Sequence, residues 1–293
     1  MSGVVWALVA AVAFAVTQIF NRKSNQLVDA YRTAFGMLAS VELILIIRLA
    51  ITGEFALLAD APVASVAYFV AATFIHYVSG WTLIALSQQR IGVARSQALV
   101  GASPLVGAIL AALVLDEAFT LLIAVSVVIA VAGVWMVSMS AVTSVEGPSG
   151  ARPWYALIVA VLWGITPQLI RLGLEGLDSP LLGVTIGLAF TVPIHALILT
   201  LTKAWRRTPV PAAAFKWMAL GGLAGALAIG AQWISFDRTS VAIAITVQQL
   251  AALVTVALVP LVFREPIERV TIRLVGGAIT MLAGSALVVL VGS

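Results

Sequence analysis

Ten apolar runs follow one another almost without interruption from residue 3 to residue 291. A hydrocarbon core about 30 Å thick needs ~20 apolar residues per crossing helix. The runs therefore predict membrane spans near 3–21, 30–51, 62–86, 91–114, 119–140, 154–173, 180–202, 211–235, 240–263 and 268–291. The longest connections lie near Thr52–Ala61, Ala141–Pro153 and Lys203–Val210, too short for an extramembrane domain. Composition agrees: 62% of the residues are hydrophobic and 10% charged, against roughly 45–50% and about 25% in soluble domains. Such a chain cannot coat a globule with polar surface. The expected class is an all-α membrane protein. The first run lacks a basic leader and continues into a span, so it reads as a span and not as a cleavable signal.

The chain divides almost in half at Ser144–Pro153, a stretch rich in turn formers. A shift of 148 residues then places Glu117 on Glu265, Arg90 on Arg238, Ser87 on Ser235, Val93 on Val241 and Trp6 on Trp154. Small insertions, Pro167 among them, bring Thr17 and Gln18 onto Thr166 and Gln168, and an insertion of three aligns Gly133 with Gly284. Matches at Arg, Glu and Trp are not expected by chance in a chain of Ala, Val and Leu. The expected organisation is a first five-helix repeat over 1–143, a linker over 144–153 and a second five-helix repeat over 154–293. An odd number of helices per copy inverts the second copy in the membrane, as in many secondary transporters.

Thirteen of the 16 Lys and Arg residues flank the odd-numbered connections; only Arg48, Arg171 and Arg238 lie on the other side. By the positive-inside rule both termini fall outside the cytoplasm. The acidic loop Thr52–Asp60, free of Lys and Arg, fits that side.

Polar groups inside spans mark the places where function is expected, because each must find a partner or face a cavity. Glu42, in the second span, is a candidate for carrying a coupling proton; its alternative is a structural carboxyl satisfied by a neighbouring helix. His76, in the third, is a second coupling candidate, since imidazole changes charge nearest neutral pH, or else a hydrogen-bonded core residue. His195 follows Pro193 and reads as a packing residue at a kink. Thr73, His76, Tyr77 and Gly80 share one helical face. The 148-residue shift maps them to Gly221, Ala224, Gly225 and Ala228, a small-residue stripe that either packs closely or leaves room for a ligand.

The remaining substrate-binding candidates are Thr17 and Gln18, with Asn21, in the first span, and Trp163, Thr166 and Gln168 in the sixth. Pro167, between the last two, deprives the helix of one amide donor and frees a carbonyl one turn earlier. Gln97 and Ser103 in the fourth span, with Gln248 and Gln249 in the ninth, complete the amide set; each is alternatively an interhelical hydrogen bond. Trp81, Trp163 and Trp233 lie beside the polar stripes and are candidates to line a cavity. Trp6, Trp154, Trp205 and Trp217 lie near span ends and read as interfacial anchors.

Several chemistries lack their residues. No Walker A sequence is present, so ATP is not a direct energy source for this chain. There is no Cys, no His-Glu-x-x-His and no nucleophile elbow, and two His cannot form a three-His zinc site. The expectation is a non-enzyme without metal or cofactor. The net charge of +4 is dispersed between apolar runs and does not point to nucleic acid.

Gly92-Val93-Ala94, followed by Gly101-Ala-Ser-Pro104 and ending at Asp116-Glu117, resembles the fourth helix of the EamA-type drug/metabolite transporter superfamily. Leu261-Val-Phe-Arg-Glu265 repeats that ending, and Leu162-Trp163-Gly164 is similar to the family's first-helix aromatic–Gly step. The chain departs from the pattern at Ala252, where the equivalent of Pro104 lacks Pro, and in the side on which the charges put the termini. The resemblance implies a plasma-membrane carrier, most often an exporter of amino acids or other small metabolites, working as a monomer or homodimer. Two readings stand beside it: efflux of hydrophobic cations, and a membrane binding or structural subunit without a transport cycle.

Overall fold

The computed structural model describes residues 2–91, 96, 99–140, 153–203, 209–263 and 272–292, and every regular element among them is helical. Gln97, Trp205, Glu265 and all of the 144–153 linker but Pro153 lie outside the described residues. The elements are α1 Gly3–Asn25, α2 Ala30–Thr52, a 3₁₀ turn Glu54–Asp60, α3 Val63–Thr73, a π-helical segment Phe74–Gly80 and α4 Trp81–Ile91. They continue with α5 Ser103–Val114, α6 Leu121–Ser140, α7 Trp154–Gly176, α8 Pro180–Leu201, α9 Ala212–Arg238, α10 Val241–Gln248, α11 Ala251–Phe263 and α12 Ile272–Gly292. Side-chain caps set four of the starts: Ser2, Asp29, Ser179 and Ser240 accept backbone amides of the first turns of α1, α2, α8 and α10. Gly53, at φ 75°, stops α2 in a left-handed conformation that costs glycine nothing.

Six stretches are long and apolar enough to cross a membrane: Gly3–Asn25, Ala30–Thr52, Val63–Ser87, Trp154–Gly176, Pro180–Leu201 and Ala212–Arg238. Four shorter apolar helices accompany them. The chain is an integral membrane protein. Two of the predicted spans differ from the expectation of one continuous helix each. The fourth is turned at Gly101–Ala102 before α5, with Pro104 in the first helical turn, where its missing amide costs nothing. The ninth is broken between α10 and α11 at Gln249–Leu250. The two breaks are 148 residues apart, as are the starts of α5 and α11. The second forms without a proline.

Packing is dominated by long-range pairs. α1 runs along α9, α6 along α12, and α9 also covers α2. On the other side of the molecule α7 packs on α3, α3 on α8, and α5 on α7, while α2 and α8 meet each other. Several contacts need glycine. A Cβ on Gly222 would overlap Ser40, one on Gly221 the Met37 side chain, and one on Gly187 Thr73. Gly133 of α6 and Gly284 of α12 each lie against the partner helix's backbone, at Met281 and Ala130. The stripe Gly221–Gly225 therefore packs against α2 and leaves no ligand space there. The largest apolar cluster joins α2, α3, α7, α8, α9 and α10 around Phe69, Trp233 and Phe236.

Candidate functional site

The third span changes winding where its polar stripe lies. Phe74–Gly80 is wound as a π-helix, a form found mostly as single turns and often at functional sites. The backbone carbonyl of His76 accepts the indole N–H of Trp163 on α7 at 3.3 Å. The His76 imidazole stacks on the same indole, centroids 5.0 Å apart and planes 12° from parallel. Tyr77 meets His76 edge-on at 4.7 Å, and Trp81 meets Tyr77 at 5.3 Å and 90°. Gly80 completes the fit, since a Cβ there would overlap the Trp163 indole nitrogen. Four aromatic rings thus form one connected wall.

A cavity opens beside that wall. Thr73, His76 and Tyr77 line it from the third span, Thr166 and Ile170 from α7, and Gln232 and Trp233 from α9. Its side chains are aromatic, aliphatic, hydroxyl or amide, without a formal negative or permanent positive charge. Trp233 is nearly fully buried and meets Phe69 at 5.4 Å. Thr73 accepts a hydrogen bond from Thr191 of α8 at 3.0 Å, so α8 is tied in from behind. The cavity volume is about 10 Å³, room for about one water and far below the ~300–1,000 Å³ usual for ligand pockets. A whole metabolite fits only if the walls move apart.

The amides sort into two networks. Gln168 Nε2 donates to the carbonyls of Gly107 on α5 and Gly164 on its own helix at 2.9 and 2.8 Å. Its Oε1 is buried with no hydrogen-bond partner among the described residues. Gly164 and Gly107 approach closely enough that a Cβ on either would meet Val106 or Ile245, and this proximity brings the α5 carbonyl within reach. Gln232 Nε2 donates to Gln248 Oε1 at 2.8 Å, and Gln248 Nε2 to Ser235 at 3.0 Å. That pair ties α9 to α10 just before the break at Gln249, which is half-buried.

Other candidates lie elsewhere. Thr17 bonds back to its own helix at Ala13 and is half-buried beside Gly225, and Gln18 is exposed. Gln18 lies beside the buried Ile19 on α1, while Thr17 and Phe20 are the residues of that turn that face α9. Glu42 is 7% exposed, and neither carboxyl oxygen has a hydrogen-bond partner among the described residues. It does not line the cavity. The contacts of Tyr31 with His195 and of Glu54 with Ser179 run α2 and α8 antiparallel, with Glu42 midway along α2. His195 is fully buried against Tyr31, and α8 passes Pro193 without interruption. Of the anchors, Trp154 is exposed, Trp217 stacks on Phe20, and the indole nitrogen of Trp6 is buried.

Gln232 and Ile170 were not among the residues singled out from sequence. Gln232 lies just beyond the small-residue stripe of its helix, and an amide inside an apolar span is the signal that marks it.

The sequence profile of the EamA-like transporter family matches residues 1–139. That match covers 139 of the chain's 293 residues. No curated protein matches the chain. Among solved structures, one described only as "Crystal structure of protein" superposes with a TM-score of 0.80 at 14% identity, covering 99% of this chain and 98% of the other. At that identity the likeness concerns the fold, and it extends over both halves. The EamA-like half contributes α1 to α6, and with them the His76–Tyr77 wall.

Proposed function

We propose that the chain is a secondary carrier of small polar or amphiphilic metabolites, amino acids foremost, exporting them across the plasma membrane by alternating access. The observation that carries this reading is the aromatic and amide-lined cavity where the third span meets α7 and α9. Its walls come from both halves of the sequence, as a midplane site between repeats requires. In this reading ten spans form two inverted five-helix repeats with the termini outside the cytoplasm. Support comes from the paired breaks at Gly101–Ala102 and Gln249–Leu250. The reciprocal packing of α1 on α9 and α7 on α3, and of α9 on α2 and α3 on α8, supports it as well.

His76, Tyr77, Thr166, Trp233 and Gln232 contact the substrate, with Trp163 and Trp81 behind the wall. Gln248 and Gln168 hold the discontinuous helices, whose free backbone groups can serve a ligand. Glu42 couples transport to protons: a buried carboxylate without a partner is costly, and a proton bound there for part of the cycle relieves that cost. The cavity lacks an acidic wall residue, which argues against a site built for hydrophobic cations.

Reconstitution tests the reading. Proteoliposomes loaded with labelled amino acids release label faster than protein-free vesicles, and release no faster than that background overturns it. Glu42→Gln abolishes proton-driven flux and spares exchange; an unchanged pH dependence removes Glu42 from the mechanism.

A further inference from the structure

The charges absent from the cavity gather about one helical turn beyond it, at the corner between α9 and α10. Trp233 lines the cavity; Phe236 and Asp237 follow three and four residues later, about 5–6 Å along the helix. Arg171, the residue after cavity-lining Ile170, donates from Nη1 to the carbonyl oxygens of Phe236 and Asp237, both at 2.6 Å. Glu117, beyond the end of α5, accepts the amide of Val241 on both carboxyl oxygens, at 2.8 and 3.0 Å. A cation thus sits at the C-terminal end of α9 and an anion at the N-terminal end of α10, each matched to the helix dipole. Ser240 already caps α10 through the amide of Ile243, so Glu117 is not needed to start that helix. Glu117 comes from the EamA-like half; Arg171 and the corner come from the other.

We propose that Glu117 and Arg171 are positioning residues of transport: together they hold the α9–α10 corner shut over the cavity, and the site opens on this face only when they release it. The proposal rests on the carrier reading above. A cavity of about 10 Å³ cannot admit a metabolite without movement of its walls. The corner is a wall that ends in two removable charged contacts, whereas the α9–α2 contact is backbone-close at Gly222 and has nothing to release.

Proton binding has a definite sign here. The groups facing Glu117 are Arg171 of α7 and the amides of Val241 and Ala242 of α10. Asp178, Asp237 and Arg238 surround Arg171 and the corner. Burial holds the Glu117 carboxyl above its ordinary range, although the two amides and Arg171 favour the ion. Released into water, the group returns to that range. A proton therefore binds more tightly to the shut corner than to the open one, and acid on this face favours closure.

The chain has no cysteine, so Ala72→Cys, at a position of α3 that also lines the cavity, gives a single reporter. Its labelling by a membrane-impermeant maleimide from the face carrying the termini reads opening. Arg171→Gln and Glu117→Ala each raise the rate about fivefold or more, the effect of a modest coupling between sites. Glu117→Gln, uncharged but still an acceptor, lowers it, and the slowing of labelling by acid seen in the parent disappears. A staple of stability alone would move Glu117→Ala and Glu117→Gln in the same direction, with matching losses in Tm; that result, or rates no substitution alters, overturns the proposal. If Arg171→Gln does not fold, Arg171→Lys, which keeps the charge and loses the planar reach, gives the same direction at smaller amplitude. Flux measured in the same vesicles separates the two claims. Clasp-dependent labelling without amino-acid flux defeats the carrier reading alone, and flux with clasp-independent labelling defeats the clasp alone.

Discussion

The 148-residue shift pairs the third span with α9, and the two pack differently. The third span is wound as a π-helix over Phe74–Gly80 and carries His76 and Tyr77 into an aromatic wall. α9 is an unbroken α-helix of 27 residues whose corresponding stripe is small, and its glycines are filled by Met37 and Ser40 of α2. Where side chains are large the backbone yields; where they are absent the neighbouring helix moves in. Chemistry sits with the first arrangement and rigidity with the second. α9 contributes to the cavity only past its stripe, at Gln232 and Trp233.

Breaking the wall has the largest expected effect. Trp163→Ala removes the indole under His76 and its hydrogen bond, costing about 3 kcal/mol of stability; amino-acid flux in proteoliposomes falls at least about tenfold, the equivalent of 1.4 kcal/mol. Flux at the parent level would show that the wall is not part of the site. Next is the rigid side. Gly222→Leu forces the α2–α9 contact apart at a cost of about 2 kcal/mol, read as a lower Tm in detergent, and a parent-like Tm would mean that α9's stripe is open space after all. Gln168→Leu removes the amide hydrogen bond to Gly107 that joins α7 to α5, together with the one back to Gly164, and costs about 1 kcal/mol. Chemical denaturation measures it, and no loss would reassign the α5–α7 contact to glycine packing alone. The smallest change sharpens the comparison within one stripe. At Gly225 a Cβ would meet Val41 Cγ2 at 3.0 Å and Thr17 Cγ2 at 3.9 Å. Gly225→Ala trades that mild crowding against a helix-propensity gain of about 0.8–1 kcal/mol, so Tm stays within a few degrees; a loss as large as that of Gly222→Leu would make the whole stripe equally tight.

Much of this contrast was legible in the sequence and some was not. Apolar runs give the helices because a run of ~20 apolar residues has few other homes, and helical periodicity gathers Thr73, His76 and Tyr77 on one face. The breaks at Gly101–Ala102 and Gln249–Leu250 are not expected from the apolar runs, although the 148-residue shift maps one onto the other. The π winding has no signature in Phe74–Gly80, since it depends on Trp163 reaching a carbonyl 87 residues away. Gln18 looks like its neighbour Thr17 in sequence, but one residue is about 100° around a helix, and only the position of α9 decides which side is buried. Glu117 closes the fourth span of the family pattern; its partner Val241, 124 residues on, is visible only in three dimensions.

The glycine crossing of α6 and α12 also says something about how the molecule is made. Gly133 and Gly284 are separated by 151 residues, roughly 8–30 s of synthesis at typical elongation rates of about 5–20 residues per second. α1 waits longer still for α9. During that interval the first half sits in the bilayer with its closest-packing surfaces facing lipid or whatever assists insertion. A chain cut short before α12 would leave the Gly133 face of α6 without its partner, so the first half is completed only once α12 has been made.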